Sequence, residues 1–172
     1  IADNRNIRDI KNLWPPTGTR YLGFLSFALN YSVSGLDPFG FRIVNIFIHA
    51  ANSMLVFLMA SFIFTSGALK GSDSSPDETG STLTALFSAV LFAAHPIQTE
   101  AVTYITQRFT SLAAFFYLLT IVSYLYFRTS GRRGKTLFYL AALLSAVAAQ
   151  KTKEISFTLP VTLMMVEFFF CP

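Results

Sequence analysis

Most of the chemistry available to this chain is concentrated in three short stretches set among long apolar runs. The densest is AAHPIQTEAVTYITQR, which carries His95, Thr99, Glu100, Tyr104 and Arg108. An imidazole with an ordinary pKa near about 6.5 and a neighbouring carboxylate suit proton transfer, so His95 and Glu100 are the candidate catalytic groups. A guanidinium suits an anion with several oxygens, phosphate above all, and this makes Arg108 a candidate phosphate ligand. Pro96 fits the opening of a helix, which puts Glu100 in the first turn, where free N–H groups favour a carboxylate. If that helix continues, Glu100, Tyr104 and Arg108 share one face at i, i+4 and i+8. A purely structural alternative stands beside this reading, with Glu100 capping a helix and Arg108 anchoring at an interface.

A second stretch, KTKEISF, sets Lys153 beside Glu154. The lysine is a candidate for an anionic lipid-linked ligand and the glutamate for orienting a base. Arg20 and Asn30 bracket YLGFLSFALN and add a further cation and amide. The third set lies inside an apolar run: Asn45, His49 and Asn52 fall at i, i+4 and i+7 and so share a helical face. Three such groups are costly against lipid, so the face turns toward other helices or a wet cavity. Asn30, Asn45, His49 and Asn52 therefore form a candidate polar network, serving either helix packing or a substrate. No motif indicates a metal site.

The elements that position these residues are set by composition. Of 172 residues, 53% are hydrophobic, 19 are Phe and only 13% are charged, against roughly 25% charged in soluble domains. This argues against a soluble or disordered chain and for an all-α integral membrane protein. The net charge of +4 sits mostly beside apolar runs, which fits a membrane surface and not nucleic acid. The single cysteine, Cys171, excludes an intrachain disulfide. Apolar runs predict about five spans, at 42–65, 81–95, 109–127, 136–150 and 155–170. They make one unit, 42–172, preceded by an extracytoplasmic loop, 1–41, that contains an interfacial amphipathic helix with Tyr21, Phe24, Leu25, Ala28 and Leu29 on its apolar face. Arg128, Arg132, Arg133 and Lys135 fall within RTSGRRGK and place that loop in the cytoplasm. Alternation then puts the His95 and Lys153 stretches outside. Small residues four apart, Ala85, Ala89 and Ala93 and again Ala141, Ser145 and Ala149, let helices approach closely.

The ordered succession of TRYLGFLSFALNYSVSGLDPFGFRIVNIFIHAANSMLVF, LFAAHPIQTEAVTYITQR and KTKEISFTLP resembles the N-terminal membrane region of the tetratricopeptide-repeat-containing O-mannosyltransferase family and its bacterial relatives, in the GT-C, protein-mannosyltransferase-like class. The resemblance implies a GT-C-like helical bundle fragment. It also implies transfer of a sugar from a polyprenyl-phosphate carrier, the donor substrate, to a protein or other hydroxyl acceptor at the periplasmic or lumenal face of a bacterial inner membrane or endoplasmic reticulum. The implied partners are membrane lipids, the lipid-linked donor and the acceptor, with no metal or other cofactor assigned. The family's acidic pair would precede Ile1, so the stretch by itself is expected to be inactive, and Asp3 is not promoted to that role. Carried over by position are Arg20, Asn30, Asn45, His49, His95, Glu100, Lys153 and Glu154. Arg20, Arg108 and Lys153 are expected to stabilise the departing phosphate. A transporter or channel segment, and a membrane anchor for a downstream repeat domain, remain the rival readings.

Overall fold

The computed structural model describes residues 13, 18, 20–65, 78–129 and 131–170, with the backbone alone at 132, 133 and 170. Asp3, Cys171 and the acidic, serine-rich stretch at 71–77 lie outside the described residues. Seven α-helices are described: α1 Tyr21–Ser34, α2 Pro38–Thr65, α3 Glu78–Ala94, the single-turn α4 Thr99–Thr103, α5 Arg108–Thr129, α6 Arg132–Gln150 and α7 Leu159–Phe170. Short 3-10 turns at Pro96–Gln98, Ile105–Gln107 and Glu154–Thr158 join them. Pro38 begins α2, where its missing N–H costs nothing. Gly35 ends α1 with a φ of 59°, a backbone shape that side chains with a Cβ resist.

Helix α5 is the middle of the bundle, packed against α2 on one side and α6 on the other, while α3 lies on α2. The seams use small side chains. Ala85 and Ala89 are the buried apolar residues of α3, and Ser145 and Ala149 are buried on α6. The Thr120 hydroxyl on α5 lies 2.9 Å from Ser145 Oγ, and each hydroxyl is also within hydrogen-bond reach of a carbonyl of its own helix. Large apolar side chains such as Phe87 and Leu91 on α3, Leu140 and Leu144 on α6, and Met164 and Phe168 on α7 face outward. A surface of that kind suits lipid or further protein.

Five spans are not what the structure contains. Among the described residues only two helical segments are long and apolar enough to cross a membrane, Pro38–Thr65 and Ile105–Thr129; a third crossing exists if Glu78–Ala94 and Pro96–Thr103, bent by 49°, are one broken span. The run expected at 136–150 lies in a helix whose first turn carries Arg132, Arg133 and Lys135, leaving a short apolar part, Gly134–Gln150. The run at 155–170 is divided into a 3-10 turn and the 12-residue α7. Helix α1 is also not the expected interfacial helix with Tyr21, Phe24, Leu25, Ala28 and Leu29 on its inner side. It buries Gly23, Phe27, Ala28 and Asn30 and exposes Leu29, because it docks on α5 through the Gly23 and Phe27 side instead of lying on a flat surface.

Candidate functional site

The start of α2, the end of α3, the start of α5 and the end of α6 meet at one end of the bundle, and the polar residues gather there in three groups. At the centre is Arg108, fully buried. Its Nε donates to Asn45 Oδ1 at 2.9 Å, and its Nη2 to Asn30 Oδ1 at 2.8 Å and Phe41 O at 2.7 Å. Nη1 donates to Ser26 O at 3.3 Å. The guanidinium carbon lies 4.5 Å from the Phe27 ring centre and 5.4 Å from that of Phe41, so aromatic faces complete the enclosure. This cation ties α1 and α2 to α5. Arg108, expected at the carrier phosphate, is buried with four of its five N–H groups directed at protein acceptors.

The local backbone explains the difference. Pro96 holds His95 extended at φ −63° and ψ 129°, and the chain extends again at Tyr104, with φ −87° and ψ 108°. The expected continuous helix through Glu100, Tyr104 and Arg108 is thus broken into a single turn, a 3-10 turn and the start of α5. Glu100 and Tyr104 are exposed while Arg108 is buried, and the three do not share a face. Asn45 helps to hold this break: its Nδ2 donates to Tyr104 O at 3.4 Å and to Val102 O at 3.5 Å.

The second group joins the start of α1 to the turn after α6. Arg20 Nε and Nη2 donate to Glu154 Oε1 and Oε2, each at 3.2 Å, and Leu22 N donates to Lys151 O at 3.1 Å. The forked geometry suits a guanidinium and a carboxylate. Its own backbone N–H and then Arg20 hold the Glu154 carboxyl below its usual range. Lys153 turns inward, its Nζ donating to Thr110 Oγ1 at 2.7 Å, and Thr110 donates in turn to Gln107 Oε1 at 2.9 Å. Thr110 also lines an apolar cavity of about 390 Å³ among Phe92, Ala113, Tyr117, Ile155 and Thr158. Sequence reasoning missed Thr110, Gln107 and Tyr117. Gln107 and Thr110 flank Arg108, and that adjacency is the one signal they offered.

The third group is a cleft of about 260 Å³ where α2 passes the break after α3, with His49 and His95 both in its lining. The expected face Asn45, His49 and Asn52 does point inward, but its members serve separate partners. His49 Nε2 pairs with Ala93 O at 3.1 Å, and Asn52 Nδ2 donates to Ser111 O at 3.0 Å. No group of three or more His, Cys, Asp or Glu side chains placed to hold a metal occurs among the described residues. At the opposite end, unforeseen from sequence, Tyr124 and Arg128 on α5 both bond Glu167 on α7, Arg128 at 2.7 Å.

Length, composition and helix packing define a multi-pass integral membrane protein with three polar groups of residues at one end of a helical bundle. Comparison with known proteins makes this specific. Protein O-mannosyl-transferase TMTC4 of Homo sapiens is 34% identical over 140 residues, covering 78% of this chain and 19% of its own length. Protein O-mannosyl-transferase Tmtc2 of Drosophila melanogaster is 36% identical over 143 residues, covering 81% and 14%, and tmtc2 of Xenopus laevis is 35% identical over 106 residues, covering 62% and 11%. The chain is a homologue of the TMTC family of O-mannosyltransferase-like, GT-C-related proteins. It spans between 11% and 19% of the length of these relatives. No family model and no solved structure matches it.

Proposed function

We propose that this chain is the carrier-binding part of a membrane glycosyltransferase, which transfers a sugar from a polyprenyl-phosphate carrier to a hydroxyl acceptor on the extracytoplasmic side. The observation that carries the reading is the Lys153 ammonium, 2.7 Å from Thr110 Oγ1, beside the apolar cavity that Thr110 lines. A cation at the head of an apolar cavity matches an anionic headgroup attached to a hydrocarbon chain. Arg20, half exposed in its pair with Glu154, supplies a second cation near the same turn. During transfer the carrier phosphate departs as an anion and needs positive charge more than a proton. In this reading Lys153 and Arg20 provide that charge, Glu154 fixes Arg20, and Arg108 holds the helices that carry them. The base that activates the acceptor hydroxyl is assigned to no described residue; His95 and Glu100, exposed on the same end, remain candidates for handling a proton.

The test is sugar transfer and carrier-lipid binding by the full-length protein in lipid nanodiscs. Lys153→Ala is expected to weaken carrier binding at least tenfold and to lower transfer with it, while Lys153→Arg retains most of both. Wild-type binding and transfer in a well-folded Lys153→Ala protein would sink the assignment.

A further inference from the structure

The cleft at the α3 break has a chemistry different from that beside Lys153. We infer that it holds the neutral, hydroxyl-rich head of a glycoside, with the glycoside's apolar tail lying between α2 and α3. The lining combines an apolar wall that includes Ala93, Ala94 and Val102 with the polar residues His49, His95, Gln98, Thr99 and Thr103, and has no carboxylate, ammonium or guanidinium. Such a set includes both donors and acceptors, as a ring of hydroxyls requires, the Thr103 hydroxyl as an acceptor because it donates to Thr99 O at 2.8 Å, and it offers no fixed charge to an anion.

The two imidazoles are held in definite tautomers by their backbone partners. His49 faces a carbonyl oxygen, Ala93 O, through Nε2, so that nitrogen carries the hydrogen and Nδ1 is left as an acceptor. His95 accepts from the Ile97 N–H through Nδ1 at 3.2 Å, which leaves its own hydrogen on Nε2 as a donor. The residues around the cleft therefore include one imidazole with an unused acceptor nitrogen and one with an unused N–H, together with Gln98, Thr99 and Thr103. Its volume of about 260 Å³ has room for a group of sugar-ring size.

A second observation supports an apolar tail. An apolar groove of about 380 Å³ runs between α2 and α3, lined among others by Ala50, Met54, Phe57, Leu86 and Val90, and it shares Ala93 with the cleft. The polar cleft is thus the head of an apolar groove on the outer face of two membrane-type helices. This arrangement suits a single-tailed or lipid-linked neutral glycoside and goes beyond the carrier-phosphate reading, which uses the other side of α3.

The experiment uses the full-length protein in nanodiscs of uncharged lipid. Saturation-transfer NMR is recorded with methyl β-glucoside and with octyl β-glucoside, the latter kept below its micelle-forming concentration. Octyl glucoside is expected to bind at least tenfold more tightly than the methyl glycoside. His95→Asn is the informative variant, because an asparagine can still cap the Ile97 N–H but does not place a donor where the imidazole Nε2 lies. His95→Asn and Thr103→Val are each expected to weaken octyl glucoside at least fivefold, and Ala93→Leu to abolish the preference for the octyl tail. Lys153→Ala is expected to weaken octyl phosphate and leave octyl glucoside unchanged, so the two sites fail or stand separately. Octyl glucoside binding no more tightly than methyl glucoside, or His95→Asn and Thr103→Val proteins of unaltered helix content binding octyl glucoside within twofold of wild type, would overturn the inference.

Discussion

Removing the Arg108 guanidinium while keeping its bulk, as in Arg108→Met, decides between an enclosed hub and a phosphate ligand. The methionine fills much of the space between Phe27 and Phe41 but donates nothing. Ser26 O and Phe41 O keep their places in the helical ladders of α1 and α2. The side-chain oxygens of Asn30 and Asn45, now 2.8 Å and 2.9 Å from guanidinium nitrogens, lose a charged donor in a buried setting. At about 1–3 kcal/mol for each of the two orphaned acceptors, the local cost is about 2–6 kcal/mol. Because about 1.4 kcal/mol is a factor of ten, amide hydrogen exchange at the start of α5, over residues 109–113, should quicken at least about thirtyfold. Exchange across the Thr120 and Ser145 seam should change little. Replacing Arg108, Asn30 and Asn45 together by apolar residues should recover much of the protection, since no buried polar group is then left unpaired. Unchanged exchange in Arg108→Met, accompanied by loss of carrier-lipid binding, would refute the hub and return Arg108 to the phosphate.

Gly23→Ala should destabilise the docking of α1 by about 1–3 kcal/mol, because a Cβ there would stand 2.2 Å from Phe109 Cδ1; Phe109→Leu should partly rescue it, as read by limited proteolysis after Ser34. The Arg20 and Glu154 pair should respond to acid. A carboxyl held below its ordinary value of 4.5 contributes stability above that value and loses it as pH falls through the lowered one. Wild type and Glu154→Gln should therefore differ in thermal stability near neutral pH and converge in strong acid; a constant difference would contradict this. In a Cys171→Ser background, thiols introduced by Thr99→Cys and Lys151→Cys should react with an impermeant reagent from outside, and one introduced by Arg132→Cys should not; the reverse pattern would invert the topology.

The sequence by itself determined where the main apolar helices would lie. Apolar runs specify α2 and α5, Pro96 breaks the chain after α3, and the alanines of α3 and α6 mark close seams, all of which depend on neighbours within a few turns. It also indicated that polar residues would gather at helix ends, since lipid excludes them from the middle. What it could not give was the partner of each polar group. Arg108 reaches acceptors 63, 67, 78 and 82 positions away, and only packing α1 and α2 onto α5 turns a surface-type residue into a buried centre. The pairing of His49 with His95 in one cleft, and of Lys153 with Thr110 beside an apolar cavity, arises in the same way from α2 crossing α3 and from the end of α6 meeting the start of α5. The span count fell for a related reason. Hydropathy reports that 136–150 and 155–170 are apolar, whereas how far a continuous helix carries that character depends on where the folded chain turns.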